Sequence, residues 1–185
     1  MSSFVQGWGF VTTALLLITG VFGFALYSLR RELNHVKALT DHLSYDIMSA
    51  DDPDIERPAP TIAGDLLRDE IKAVVSSKDA SWANKQIRGW EMRTQRLEPA
   101  LAFWVDFLRQ LGLLFTVLGL GLSLAVERGN VEQLLAPLGL AVWTTVAGLA
   151  YSVWLTAQFG MKIPVWGDTC EKNIEAWRAK RGHNG

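Results

Sequence analysis

The sequence predicts an all-α membrane protein: three transmembrane helices with cytoplasmic helical extensions. Charge segregation and segment length carry this reading. The 185 residues include 18 Lys or Arg and 19 Asp or Glu, yet residues 1–29, 110–126 and 133–161 contain none of these. A helix rises about 1.5 Å per residue and the hydrocarbon core is about 30 Å thick, so roughly 20 apolar residues cross it. A soluble globular chain has no reason to sort its charges in this way. The formal net charge of −1 supplies no basic surplus for nucleic acid. The single Cys170 excludes both an internal disulfide and a thiolate zinc cluster.

The first transmembrane helix is assigned to residues 1–30, with its apolar crossing at 8–29 closed by Arg30 and Arg31. Signal peptides are basic before their apolar core; here the basic residues follow it, so the segment is expected to be retained. By the positive-inside rule, Arg30, Arg31 and Lys37 place that end in the cytoplasm and Met1–Gly7 outside.

Residues 31–100 are the expected cytoplasmic helical loop. Leu29, Leu33, Val36, Thr40, Leu43 and Ile47 are spaced 4-3-4-3-4, a heptad seam that extends the first helix beyond the bilayer. Asp51-Asp52-Pro53-Asp54 and Arg57-Pro58-Ala59-Pro60 then break it. Thr61–Ser77 is amphipathic through Leu67, Ile71, Val74 and Val75; Ala80–Gln95 is more weakly so through Trp82, Ile87 and Trp90. The charged faces of this loop either stay solvated, as a helical collar, or dock a ligand or protein. His35 and His42 share a helix face, but with no third ligand nearby they read as solvent-facing, and no metal or other cofactor is expected.

The second transmembrane helix is assigned to residues 101–126 and its crossing to 107–126. Asp106 and Arg109 are expected at its cytoplasmic mouth, and Pro99 in its first turn, where the missing N–H costs little. A short external turn follows at 127–133, with Glu127 and Glu132 at the outer rim. The third transmembrane helix is 134–160, crossing at 134–159, and the tail 161–185 returns to the cytoplasm with Lys162, Lys172, Arg178, Lys180 and Arg181. Cys170 is expected to be an ordinary free thiol in that charged tail.

The last two spans carry matched stripes. Gly112, Thr116, Gly119 and Ser123 are spaced 4-3-4, and Ala141, Thr145, Gly148 and Ser152 repeat the interval. Each quartet lies on one helix face, narrow and hydroxyl-bearing, among bulky neighbours such as Leu113, Phe115, Trp143 and Trp154. Two readings are open. Small residues let helix backbones approach and hydroxyls bond across the interface. Alternatively Thr116, Thr145, Ser123, Ser152 and the adjacent Thr144 line an ion path, because a hydroxyl both donates and accepts. No Asp, Glu, Lys, Arg or His lies well inside a span; Asp106 is ten residues, about 15 Å, from Thr116. If protons are conducted, a partner must bring the titratable group. No Ser/His/Asp constellation, phosphate loop or paired carboxylate site occurs, so no enzymatic activity is expected.

The segments Gly112-Leu113-Leu114-Phe115-Thr116-Val117-Leu118-Gly119-Leu120 and Ala141-Val142-Trp143-Thr144-Thr145-Val146-Ala147-Gly148-Leu149 resemble the paired motifs of the MotA/TolQ/ExbB proton-channel family. The three-span layout with a large loop after the first span resembles the TolQ and ExbB branch. The motif match covers residues 101–159; Phe115 stands where a glycine is common, and Leu140 where some members carry a glutamate. The resemblance implies a bacterial inner-membrane homopentamer around a dimer of single-span partners similar to MotB, TolR or ExbD, each with a membrane-embedded Asp. It also implies that Thr116 and Thr145 are the pore threonines, flanked by Gly112, Gly119 and Gly148. Such an assembly is the stator of a rotary motor driven by ion flow. The alternative is a non-conducting oligomeric membrane scaffold that packs helices and recruits cytoplasmic partners.

Overall fold

The computed structural model describes residues 2–48, 62–77, 79–126 and 131–183. Every described element is a helix: α1 (Ser2–Met48), α2 (Ile62–Ser76), α3 (Ala80–Val126), α4 (Val131–Phe159) and α5 (Lys162–His183). The break expected at residues 51–60, Glu127 and Arg128 lie outside the described residues, as do the side chains of Ile47, Val75, Ser123, Glu132, Leu140 and Ala141. Two helical segments, Thr12–Tyr45 and Ser81–Gly121, contain stretches long and apolar enough to cross a membrane.

The helices sort into two compact units. One comprises Met1–Ser28 and Leu101–Phe159; the other comprises Leu29–Ala100 and Gly160–Gly185. In the second unit, the seam residues Leu29, Leu33, Val36, Thr40 and Leu43 of α1 are all buried. Of these, Leu43 packs with Leu39 of the same helix, Leu67, Ile71 and Val74 of α2 and Ile87 and Trp90 of α3 in one apolar core. The 4-3-4 spacing keeps such residues on one side of a helix, so each helix contributes one stripe and leaves its charges to water. Helix α3 starts where Asp79 caps it: its carboxylate accepts the Ser81 and Trp82 N–H groups at 2.9 and 3.2 Å.

Three details of this unit differ from the sequence expectation. Pro99 is inside α3, whose 47 residues run without interruption, rather than in a first turn. Its ring removes one backbone bond, to the Gln95 carbonyl, yet Ile87, Trp90, Leu97, Leu101 and Leu108 remain buried to either side of it and hold the helix through the defect. The charged tail, for which spacing gave no secondary structure, is the 22-residue helix α5. Ile163, Cys170, Ile174 and Trp177 are its buried stripe, so Cys170 is a core residue. Burial pushes the Cys170 thiol pKa up, partly offset by the Thr40 and Thr94 hydroxyls. His35 is half-buried, and its Nε2 accepts from Arg93 Nη1 at 3.2 Å; a guanidinium has no lone pair to offer, so the ring nitrogen is the acceptor.

The first unit packs the N-terminal part of α1 with α4 and the C-terminal part of α3. Phe22 stacks on Tyr151 at a centroid distance of 4.3 Å and meets Trp154 edge-on at 5.4 Å. The Tyr151 hydroxyl hydrogen-bonds Thr19 Oγ1 at 3.0 Å. Small or compact residues (Ala14, Ala25, Gly112, Gly119, Thr144, Gly148, Ser152) are buried beside Ile18, Leu108 and Leu155. Many other large apolar residues, among them Leu16, Phe24, Leu113 and Trp143, face outward.

Candidate functional site: a threonine and glycine seam

The two small-residue stripes face each other. A Cβ on Gly112 would lie 2.8 Å from the Thr144 carbonyl oxygen and 3.2 Å from the Thr145 Cα. One on Gly148 would lie 2.6 Å from the Leu108 carbonyl oxygen and 3.1 Å from the Gly112 Cα. These obstacles are backbone atoms, which cannot swing aside. Glycine is therefore required at both positions for α3 and α4 to approach this closely.

The close approach brings three hydroxyls onto one carbonyl. Thr116 Oγ1, Thr144 Oγ1 and Thr145 Oγ1 lie 3.1, 3.3 and 3.3 Å from the Gly112 oxygen. Thr116 also hydrogen-bonds Thr144 across the interface at 3.2 Å, and Thr145 more closely. A carbonyl oxygen has two lone pairs, and the helical N–H of Thr116 engages one. The three hydroxyls share what remains of it, and Thr116 also bonds Thr144 and Thr145, where either partner can donate. The cluster can be oriented in more than one way, which suits it to hold water or replace part of an ion's hydration shell. It cannot take up and release a proton near neutral pH, because an aliphatic hydroxyl does not titrate there.

Of the residues singled out by spacing, Gly112, Thr116, Thr145 and Gly148 come together here, joined by the adjacent Thr144. Thr144 is fully buried, whereas Thr116 and Thr145 are half-buried. Thr144 interrupts the 4-3-4 register, but Thr144, Gly148, Ser152 and Leu155 form the deeper stripe of α4. Ser152 is buried, and its hydroxyl turns back to the Leu149 carbonyl at 2.8 Å. Gly119 is buried farther along α3. Asp106 and Arg109 pair with each other at 3.5 Å, both more than half exposed. They precede Thr116 by ten and seven residues, about 15 and 10 Å along the helix, so they belong to its end and not to the hydroxyl cluster. Sequence spacing gave no hint of the Thr19–Tyr151 bond, because it joins residues 132 apart.

Outward from this seam the unit is apolar. Leu113, Val117, Trp143 and Val153 are 54, 57, 62 and 65% exposed. Among the described residues, no group of three or more His, Cys, Asp or Glu is placed to hold a metal ion. No protein-family model matches this chain, and no curated protein sequence does.

Proposed function

We propose that this chain is a multi-pass subunit of an ion-driven motor in the bacterial inner membrane, with its N-terminus outside. In this reading α4 is a third crossing: its 29 residues, at about 1.5 Å each, exceed the hydrocarbon thickness. Five copies surround two single-span partners, each bringing a membrane Asp, and Thr116 and Thr145 line the ion path, a proton's.

 The observation that carries this reading is the Thr116–Thr144–Thr145 cluster: a polar, reorientable, non-titrating group inside a unit whose outer surface is apolar. A carboxylate from another polypeptide would complete it. One elementary charge moving through the membrane potential releases about 2.3 kcal/mol per 100 mV, enough to drive small rotations past a surface without large ridges.

The same cluster favours a second reading. The hydroxyls already bond one another and Gly112, and the glycines already serve close packing, which is all that a non-conducting scaffold needs. Two measurements separate the readings. Co-expression with candidate Asp-bearing single-span proteins, followed by the stoichiometry of the purified complex, gives five to two for the motor and no such partner for the scaffold. Thr116→Val and Thr145→Val keep side-chain shape but remove the hydroxyl; the motor loses ion-driven output while still assembling. Full output from these variants at normal expression overturns the ion path.

A further inference from the structure

The unit formed by Leu29–Ala100 and Gly160–Gly185 contains a cavity of about 680 Å³, walled by α1, α2 and α3. That volume is within the range of small-ligand sites, about 300–1,000 Å³. Arg31 of α1 and Arg93 and Arg96 of α3 line it, together with His35, Glu32 and Glu70. We propose that this cavity is the headgroup site of an anionic phospholipid, one whose headgroup also carries hydroxyls.

The chemistry of the wall selects this ligand. Three exposed arginines from two helices line one cleft, and the planar fork of a guanidinium matches phosphate oxygens in a bidentate fashion. Among the described residues none of the three makes an ion pair within 4.0 Å. Arg93 donates from Nη1 to His35 Nε2 at 3.2 Å, which links the α1 and α3 walls of the cleft. Glu32 and Glu70 leave the wall with a positive balance and supply acceptors for headgroup hydroxyls. The lining is completed by Leu67, Leu97 and Ala100, which suit a glycerol backbone and have nothing to offer a free phosphate ion.

Position along the chain agrees. Arg31 comes four residues after Tyr27, and Ala100 four residues before Trp104. Tyr27 is exposed, and Phe103, Trp104 and Phe107 form a ring cluster with centroids 5.3 to 6.1 Å apart. Aromatic side chains of this kind gather at the headgroup level of a bilayer, and the anionic cytoplasmic leaflet attracts arginines just beyond it. The inference therefore rests on the reading that α1 and α3 cross a membrane.

The test uses the full-length chain in detergent, titrated with short-chain phosphatidylglycerol, short-chain phosphatidylcholine or inorganic phosphate, with the rise in Tm as readout. Phosphatidylglycerol is expected to raise Tm saturably, and the other two are not. Arg93→Gln/Arg96→Gln weakens the phosphatidylglycerol response by roughly thirtyfold, whereas Lys85→Gln/Arg88→Gln, on α3 outside the cavity, leaves it intact. Arg93→Lys/Arg96→Lys keeps the charge but loses the fork, and decides the matter should the glutamine variant not fold: a weakened response supports the site, an unchanged one overturns it. An equal response in the glutamine variant, or a response to inorganic phosphate that depends on the same arginines, also overturns it. Carbonate washing of cell membranes tests the underlying reading separately. A chain that washes out sinks the membrane assignment; a chain that is retained but indifferent to phosphatidylglycerol sinks only the headgroup site.

Discussion

The two units solve the packing problem in opposite ways. In the unit of Leu29–Ala100 and Gly160–Gly185, large apolar side chains such as Ile71, Ile87, Trp90 and Ile174 are inside, and Arg, Lys, Asp and Glu are outside. In the unit of Met1–Ser28 and Leu101–Phe159, glycine, alanine, serine and threonine share the interior with a few large residues such as Ile18, Leu108 and Leu155, while Leu16, Phe24, Leu113 and Trp143 are exposed. The first arrangement is what water selects, because removing apolar surface from it is the main driving force. The second is what hydrocarbon would select around helices apolar enough to cross a membrane. Lipid tails are as apolar as leucine, so helices gain nothing by burying leucine, and close backbone contact and interhelical hydrogen bonds decide which faces meet.

The contrast can be broken most sharply in the water-type core. Trp90 is almost fully buried there, and Trp90→Ala is expected to cost about 3–5 kcal/mol, read as lost cooperative unfolding of this unit by circular dichroism. The seam should be damaged by addition, not deletion. Gly148→Ala and Gly112→Ala press a methyl into backbone and are expected to cost about 1–3 kcal/mol. Gly20→Ala and Gly23→Ala, where nothing lies within 4 Å, should be neutral or slightly stabilising, since alanine is the better helix former. Equal tolerance at all four positions in thermal unfolding would refute glycine-mediated packing of α3 on α4.

A smaller effect sharpens the water-type side. Because burial raises the Cys170 pKa in the folded chain, its contribution to stability is full below the ordinary thiol pKa, about 8.5, and is lost as pH rises through the elevated folded value. Stability measured across alkaline pH should fall more steeply for the wild type than for Cys170→Ala, and maleimide should label the native chain slowly. The smallest expected change is at the surface. Arg178 bonds Glu91 at 2.9 Å, but the two side chains are 42 and 26% exposed, so Arg178→Ala should cost no more than about 1 kcal/mol in thermal unfolding.

Much of this was legible from spacing. The 4-3-4 run from Leu29 to Leu43 identified a buried face, and the stripes at Gly112 and Gly148 identified faces made for close approach. Helix α5 has a sequence signal too: Ile163, Cys170, Ile174 and Trp177 recur at intervals of 7, 4 and 3 residues, masked by the surrounding charge. Pro99 misled because a local rule for proline says where a helix prefers to begin, whereas tertiary packing on both sides can carry a helix through one missing bond.

By itself, then, the sequence determined which stretches shun charge and which face of each helix is narrow or apolar, because periodicity and composition are local properties of the chain. Only the tertiary structure decided that the two hydroxyl stripes meet over the Gly112 carbonyl, that Thr144 is the most buried of the three threonines, and that Arg31, Arg93 and Arg96 share one cavity. Those are pairings between segments far apart in sequence, and a one-dimensional period records which side of a helix is buried but not which partner buries it.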